Sequence, residues 1–213
     1  LPVILAILLT ELGSGKFRKV VQTVTTLPNF IGWVIIYSLS FAMFASEGLL
    51  NQILMNAGLI SEPLNVLANQ GNVWLFQTGL LIWKTLGWSS IIYLAAISGI
   101  NGDLYEAAMI DGANRWQQTI YVTLPSILPT IMVMFILRVG QLMSLGFEKV
   151  LLMYTQQNSS VSDIIDSFVY RVGMMQSSYS YATAVGLFGG IIGLILVTSA
   201  NRISRAVTGE SLY

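Results

Sequence analysis

Four stretches of this chain run almost without charge for long enough to cross a bilayer, and they constrain the fold more than any other feature. They lie within Val20 to Ser46, about Trp74 to Ile100 (interrupted by Lys84), about Ser126 to Phe147 (interrupted by Arg138), and Val172 to Asn201. A spanning helix needs ~20 apolar residues for a hydrocarbon core of ~30 Å, and buried helices of soluble proteins rarely stay uncharged for so long. The spacing predicts spans over about 27–46, 74–100, 126–147 and 181–201, with Pro28 at a natural helix start. The expected fold is all-α: a polytopic transmembrane helical bundle forming one domain over residues 1–213.

Composition agrees and removes several functions. Charged residues make up 9% of the 213, against ~25% in ordinary soluble domains. Ten basic and ten acidic residues leave a net charge of zero, which does not suit nucleic acid. With no His and no Cys there is no His-based proton relay, no Ser-His-Asp triad, no thiol nucleophile, no Cys/His metal site and no disulfide. The expectation is a non-enzyme with no metal site. Residues 1–12 begin inside an apolar run without Met and reach charge at Glu11. They read as the tail of a span whose beginning is absent.

Basic residues in short loops set orientation. Lys16, Arg18, Lys19, Arg115, Arg202 and Arg205 fall on one side of the predicted spans, and only Lys149 and Arg171 on the other. The bias puts loops 13–26 and 101–125 and the C-terminus in the cytoplasm. The outer loop 148–181 contains Val161 to Tyr170, whose apolar residues recur at helical spacing and suggest a short interfacial helix. On the last span, Ala182, Gly186 and Gly190, with Gly189 and Gly193, place small residues on adjoining strips where a neighbouring helix can approach closely. Glycine is also simply common in membrane helices.

Loop 101–125 carries the densest signal. Asp103 can cap a first short helix, with Glu106 closing a capping box. Gly112 can end that helix at positive φ, residues 113–121 form a second, and Pro125 opens the next span. Glu106-Ala107-Ala108, three residues, Gly112, nine residues, Val122, one residue and Leu124-Pro125 resemble the EAA loop of binding-protein-dependent ABC importer permeases, with Val122 in place of Ile. Further runs are similar to sugar-uptake permeases of the polysaccharide-transport (LplB-like) group: Leu27-Pro28-Asn29-Phe30, Ile91 to Ala96, Phe168 to Gly173 and Ala182 to Phe188. The likeness covers essentially the whole chain and extends to an alginate-type importer subunit.

The resemblance implies a type I permease whose N-terminal spans are missing here, in a bacterial inner membrane. It implies a second, homologous permease subunit, a pair of ATPase subunits beneath, and a periplasmic or lipid-anchored solute-binding protein. ATP and Mg2+ would sit on the ATPase, and this chain would bind no cofactor. Glu106, Ala107, Ala108 and Gly112, with Leu124 and Pro125, would form the coupling element that docks on the ATPase. The cargo would be a carbohydrate, an oligosaccharide, with an acidic, alginate-like one as the narrower reading. An ion-coupled secondary transporter, a permease for a non-sugar solute and a membrane-embedded enzyme using Asp163, Asp166 and Arg171 are the rival readings. Asp163 and Asp166 also read as the solvated side of the interfacial helix.

Three features need separate weighing. Gly13-Ser14-Gly15-Lys16 resembles the end of a phosphate-binding loop, but Thr10 and Phe17 stand where that pattern requires Gly and Ser or Thr. Lys84 and Arg138 lie inside spans, where a charge costs about 2.5–3.5 kcal/mol. Arg138, Gln141, Ser144 and Glu148 fall within ~120° on one predicted helix face. Lys84, Arg138, Gln141 and Ser144 are therefore candidate pathway or substrate residues, with hydrogen bonding to carbonyls as the structural alternative. The aromatics Trp33, Tyr37, Trp74, Trp83, Trp88 and Tyr93 could stack on sugars or serve as belt and packing residues.

Overall fold

The computed structural model describes residues 1–209 apart from 14, 65, 68–70 and 145, and only the backbone of 144, 207 and 208. The described residues form helices and no strand: α1 (Pro2–Glu11), α2 (Gly15–Thr26), α3 (Trp33–Phe44), α4 (Leu49–Asn56), α5 (Val73–Ser98), α6 (Gly102–Ile110), α7 (Arg115–Gln118), α8 (Leu124–Gly140), α9 (Phe147–Met153), α10 (Ser159–Ser162), α11 (Ile165–Tyr170) and α12 (Tyr179–Thr208). The chain divides into two units. One comprises Leu1–Asn29, Trp83–Leu142 and Gly193–Tyr213, the other Phe30–Ile82 and Met143–Ile192.

Among the described residues, four helical segments are long and apolar enough to cross a membrane: Trp33–Asn56 (with a turn at Ala45–Gly48), Val73–Ser98, Arg115–Gly140 and Tyr179–Ala206. The expected spans 74–100 and 181–201 lie close to two of these, and the expected 126–147 is displaced towards the N-terminus, because the observed segment starts at Arg115 and α8 ends at Gly140. The first expected span is also displaced, because Pro28 sits in a 3-10 turn (Leu27–Phe30) and not at a helix start, and α3 begins only at Trp33. The apolar side chains of α12 illustrate the solvent these helices are built for. Leu187, Phe188, Ile191 and Leu194 are all exposed, as suits a surface in contact with lipid or another helix.

In the first unit, Ala6 of α1, Tyr93 and Ile97 of α5, and Ile127 of α8 are buried together, with Val3, Ile7 and Ile131 around them. The C-terminal end of α2 lies so close to α5 that a Cβ on Gly87 would stand 2.2 Å from the Thr25 carbonyl oxygen. Only a residue without a side chain permits that approach. The stretch 161–170 is helical, but in two pieces, since the chain turns at Asp163–Ile164 between α10 and α11. There the Ser167 hydroxyl donates to the Asp163 carboxylate (2.6 Å) and accepts from the Ile164 N–H (2.9 Å). On α12, Ala182 is buried against Gly173, whereas a Cβ on Gly186 or Gly190 would meet nothing within 4 Å.

Of the Gly13–Lys16 stretch, Gly15 and Lys16 open α2, and Ser14 lies outside the described residues.

Candidate coupling site

The loop between α5 and α8 is built from its caps inward. The residue capping α6 is Asn101, not Asp103: its Oδ1 accepts the Asp103 N–H (3.1 Å), and its Nδ2 donates to the Asp103 carboxylate (3.2 Å). Both residues are good N-caps by chemistry, and the extended backbone at Asn101 places the first turn two residues earlier. Glu106 therefore closes no capping box, and its carboxylate is exposed.

At the other end Gly112 stands at φ +80°. The Gly112 N–H donates to the Met109 carbonyl (3.0 Å) and the Ala113 N–H to the Ala108 carbonyl (2.9 Å). This is a Schellman turn, which satisfies the last carbonyls of a helix and favours a residue without a Cβ at the left-handed position. Asp103, Glu106, Ala107 and Ile110 share one face of α6 by their spacing, and all four are exposed. Ile110 is 87% exposed. Tyr105 and Ala108, on the opposite side, are half-buried.

A separate second helix over 113–121 does not form. Asn114 and Gln117 make a capping box (2.8 and 2.9 Å) that starts α7 at Arg115. From there the chain runs through a π-helical turn, Thr119–Thr123, directly into α8. Pro125 explains the wide turn, because it cannot donate to the ladder and its ring crowds the preceding one. Leu124 is half-buried and Pro125 exposed at this junction.

Two contacts outside the motif tie the loop to the spans. The Tyr105 hydroxyl lies 2.9 Å from Thr123 Oγ1, linking α6 to the π-turn. Arg115 pairs with Glu11 at the end of α1 (3.1 Å). An open groove of about 660 Å3 runs beside α6, lined by Thr10, Glu11, Tyr105, Met109, Arg115 and Gln118. The Asn-x-x-Gln capping pattern could have been read from sequence; the Tyr105 and Glu11 contacts carry no local signal. Chemically the site offers a short exposed face, carboxylates at one end and bare apolar groups at the other, fastened to membrane-length helices.

The two candidate pathway cations are each held by a neutral oxygen. Lys84 Nζ donates to the Asn29 carbonyl (2.9 Å), and the Arg138 guanidinium to the Ser89 hydroxyl (3.1 Å). The face expected to run from Arg138 to Glu148 is interrupted, because α8 ends at Gly140 and the chain turns through a short 3-10 segment, 142–144, and Gly146 at φ +75° before α9 begins. Gln141 is exposed just beyond α8, and the Ser144 side chain lies outside the described residues.

Residues 3–209 match the model of a family described as "Binding-protein-dependent transport system inner membrane component". The chain is 43% identical over 215 residues to a polygalacturonan/rhamnogalacturonan transport system permease protein of Bacillus subtilis (strain 168). It is 40% identical over 215 residues to Protein LplB of the same organism. Both alignments take in all of this chain and 66% of the relative, so the chain spans just under two thirds of their length. Among solved structures, a bacterial ABC transporter involved in import of the acidic polysaccharide alginate superposes with a TM-score of 0.93 at 38% identity, covering 97% of this chain and 72% of that one. A bacterial alginate ABC transporter in complex with an alginate pentasaccharide-bound periplasmic protein gives a TM-score of 0.94 at 37% identity, covering 99% and 73%.

Proposed function

The chain belongs to the binding-protein-dependent transport system inner membrane components, and on that premise we propose that it is a pathway-forming subunit of an ATP-driven oligosaccharide importer. Its partners are a second permease subunit, a pair of ATPase subunits and a solute-binding protein on the outer side. The side bearing Lys16, Arg18, Lys19 and Arg115 faces the cytoplasm, as does the C-terminus. ATP hydrolysis takes place on the ATPase, and this chain contributes shape and motion.

The observation that carries the coupling role is the exposed face of α6. A rigid helix of 9 residues, stopped by the Gly112 turn and anchored through Tyr105 to the π-turn at the foot of α8, transmits a displacement to that span as a solid piece. Packed helices shift as rigid bodies rather than deform. Glu106 supplies a charged anchor, and Ala107 lets the partner backbone come close. Support for the cargo comes from relatives that carry polysaccharides in their names, and the narrower reading is an acidic oligosaccharide. Lys84 and Arg138 remain candidates for meeting it, each through a cation now turned to a neutral oxygen.

The test is uptake and ATPase activity of the full complex over oligogalacturonides, alginate oligosaccharides and neutral arabino-oligosaccharides. Glu106→Arg is expected to release the ATPase on purification, or to leave hydrolysis unlinked to uptake. Intact, coupled transport in that variant counts against α6 as the docking element.

A further inference from the structure

Within the unit formed by Phe30–Ile82 and Met143–Ile192, one side chain is out of keeping with its surroundings. Gln77, on the second turn of α5, is 0% exposed. Neither its amide oxygen nor its amide nitrogen has a hydrogen-bond partner among the described residues. Buried amides are paired in nearly all proteins, because an unpaired one forfeits its hydration without compensation. Gln77 does not sit in tight packing. It lines a cavity of about 50 Å3 whose other walls include Tyr37, Phe41, Phe76, Val73 and Met153.

A water needs ~10–15 Å3 of such space, so the cavity admits a few small polar groups and is too small for a sugar ring. It is not isolated. Phe41, Leu67 and Thr155 also line a wider, open pocket of about 520 Å3 that reaches Ser46 and Glu47. The two voids thus adjoin across these three residues, and the smaller one, the narrow end, carries the unpaired amide on its wall.

We propose that Gln77 is the hydroxyl-reading residue of a saccharide subsite. A sugar unit in the wide pocket packs its apolar face on Phe41 and sends one or two hydroxyls into the narrow end. There the amide NH2 donates to a hydroxyl oxygen and the amide C=O accepts a hydroxyl proton. The chemistry selects the ligand. An amide presents donor and acceptor side by side, which only groups that both donate and accept can satisfy. A carboxylate accepts only and would leave the amide oxygen unpaired; an alkyl chain would leave both atoms so. The exposed Glu47 carboxylate at the wide end further disfavours an anionic sugar edge. Water has the same hydrogen-bonding chemistry and competes with the sugar for the narrow end. This inference rests on the saccharide reading above and adds a position and a recognised group.

The experiment compares wild type and Gln77→Leu in the full importer complex. It measures saccharide uptake over the same panel and the thermal midpoint of the purified complex with and without saccharide. Leu is close to Gln in volume and removes an unpaired amide, so assembly without sugar is expected to be kept. Uptake KM should rise about tenfold or more while the maximal rate is preserved, and the saccharide-dependent rise in midpoint should shrink. Gln77→Glu, which keeps the size and loses the donor, should also raise KM and serves if the leucine variant assembles poorly. An unchanged KM in an importer that does carry saccharide overturns the subsite alone, leaving the amide paired to water. A wild-type complex that neither imports nor is stabilised by any saccharide of the panel overturns the substrate reading, and the subsite with it.

Discussion

Between α5 and α8 the chain turns large apolar side chains outward; between α8 and α12 it turns several polar ones inward. In the first segment Ile110 and Trp116 are 87% and 71% exposed, and local order comes from backbone turns and caps. In the second, Asn158 is wholly buried. Its Oδ1 accepts from the Thr155 N–H (2.8 Å) and the Ser162 hydroxyl (3.0 Å), and its Nδ2 donates to the Met153 and Leu67 carbonyls (3.0 and 3.3 Å). Asn51 plays the same part nearby, bridging the Ala45 and Leu64 backbones. An exposed segment keeps its groups available, as the proposed docking on another protein requires; a buried one uses single amides to replace the ladder that irregular backbone lacks.

The largest expected effect therefore falls on the inward segment. Asn158→Ala strands buried donors and acceptors on Thr155, Met153 and Leu67 and should cost about 3 kcal/mol or more. It is measured as the thermal midpoint of the purified complex and as hydrogen exchange over residues 155–162. Next comes Lys149, only 5% exposed on α9. Burial disfavours its charged form and lowers its pKa below the ordinary 10.5. The penalty is complete below the lowered folded value, and stability should rise with pH from there to 10.5, the window in which the unfolded chain binds the proton and the folded one does not. Lys149→Met should raise stability by about 1–2 kcal/mol and flatten that rise. A destabilised Lys149→Met would mean that the ammonium is held by more than packing. In the outward segment, Gly112→Ala strains the left-handed turn by only about 1 kcal/mol. Its larger consequence should be weaker retention of the ATPase on purification. If Gly112→Ala costs as much as Asn158→Ala, the contrast between the segments fails.

The same contrast explains what could be read in advance. The loop over 101–125 is legible because Glu106, Ala107, Ala108, Gly112, Leu124 and Pro125 stand at the spacing of a known motif, and Gly112 adopts the positive φ expected of it. The cap is Asn101 and not the expected Asp103, because two good capping residues stand two apart. The helix expected over 113–121 dissolved into the span, since nothing in a capping pattern reveals that a π-turn at Pro125 will carry the chain straight on. The uniformly apolar runs fixed the all-α membrane class but not the helix ends, so α3 began after Pro28 and α8 stopped at Gly140. Gln77 and Asn158 carry no signal in the sequence, because a lone amide in an apolar or loop stretch has no periodicity. Its meaning lies in carbonyls and cavities contributed from distant parts of the chain.

The smallest effects are expected at the two ion pairs among the described residues, one reaching into each segment, and they sharpen the comparison because both are Arg–carboxylate pairs. Arg115 and Glu11 have side chains 83% and 42% exposed, where water and salt screen the attraction. Arg115→Ala should change stability by less than about 0.5 kcal/mol and less still at high salt. Arg171 and Asp163 are more enclosed, at 33% and 29%, and Arg171 also lies near the Tyr154 and Phe168 rings. For Asp163, partial burial pushes the carboxyl pKa up, but the Arg171 guanidinium and the Ser167 hydroxyl outweigh it and hold the group below its ordinary 3.8. A carboxylate depressed on folding adds stability that is complete above the ordinary value and disappears as pH falls through the lowered one. Arg171→Gln should therefore lower the thermal midpoint at neutral pH, and the difference from wild type should close only in strong acid, below that value. No such acid-dependent convergence is expected for Arg115→Ala, whose small effect should instead follow ionic strength. If Arg171→Gln proves as salt-sensitive and as slight as Arg115→Ala, the inward segment is held by its buried amides alone and its charge pair is only surface decoration.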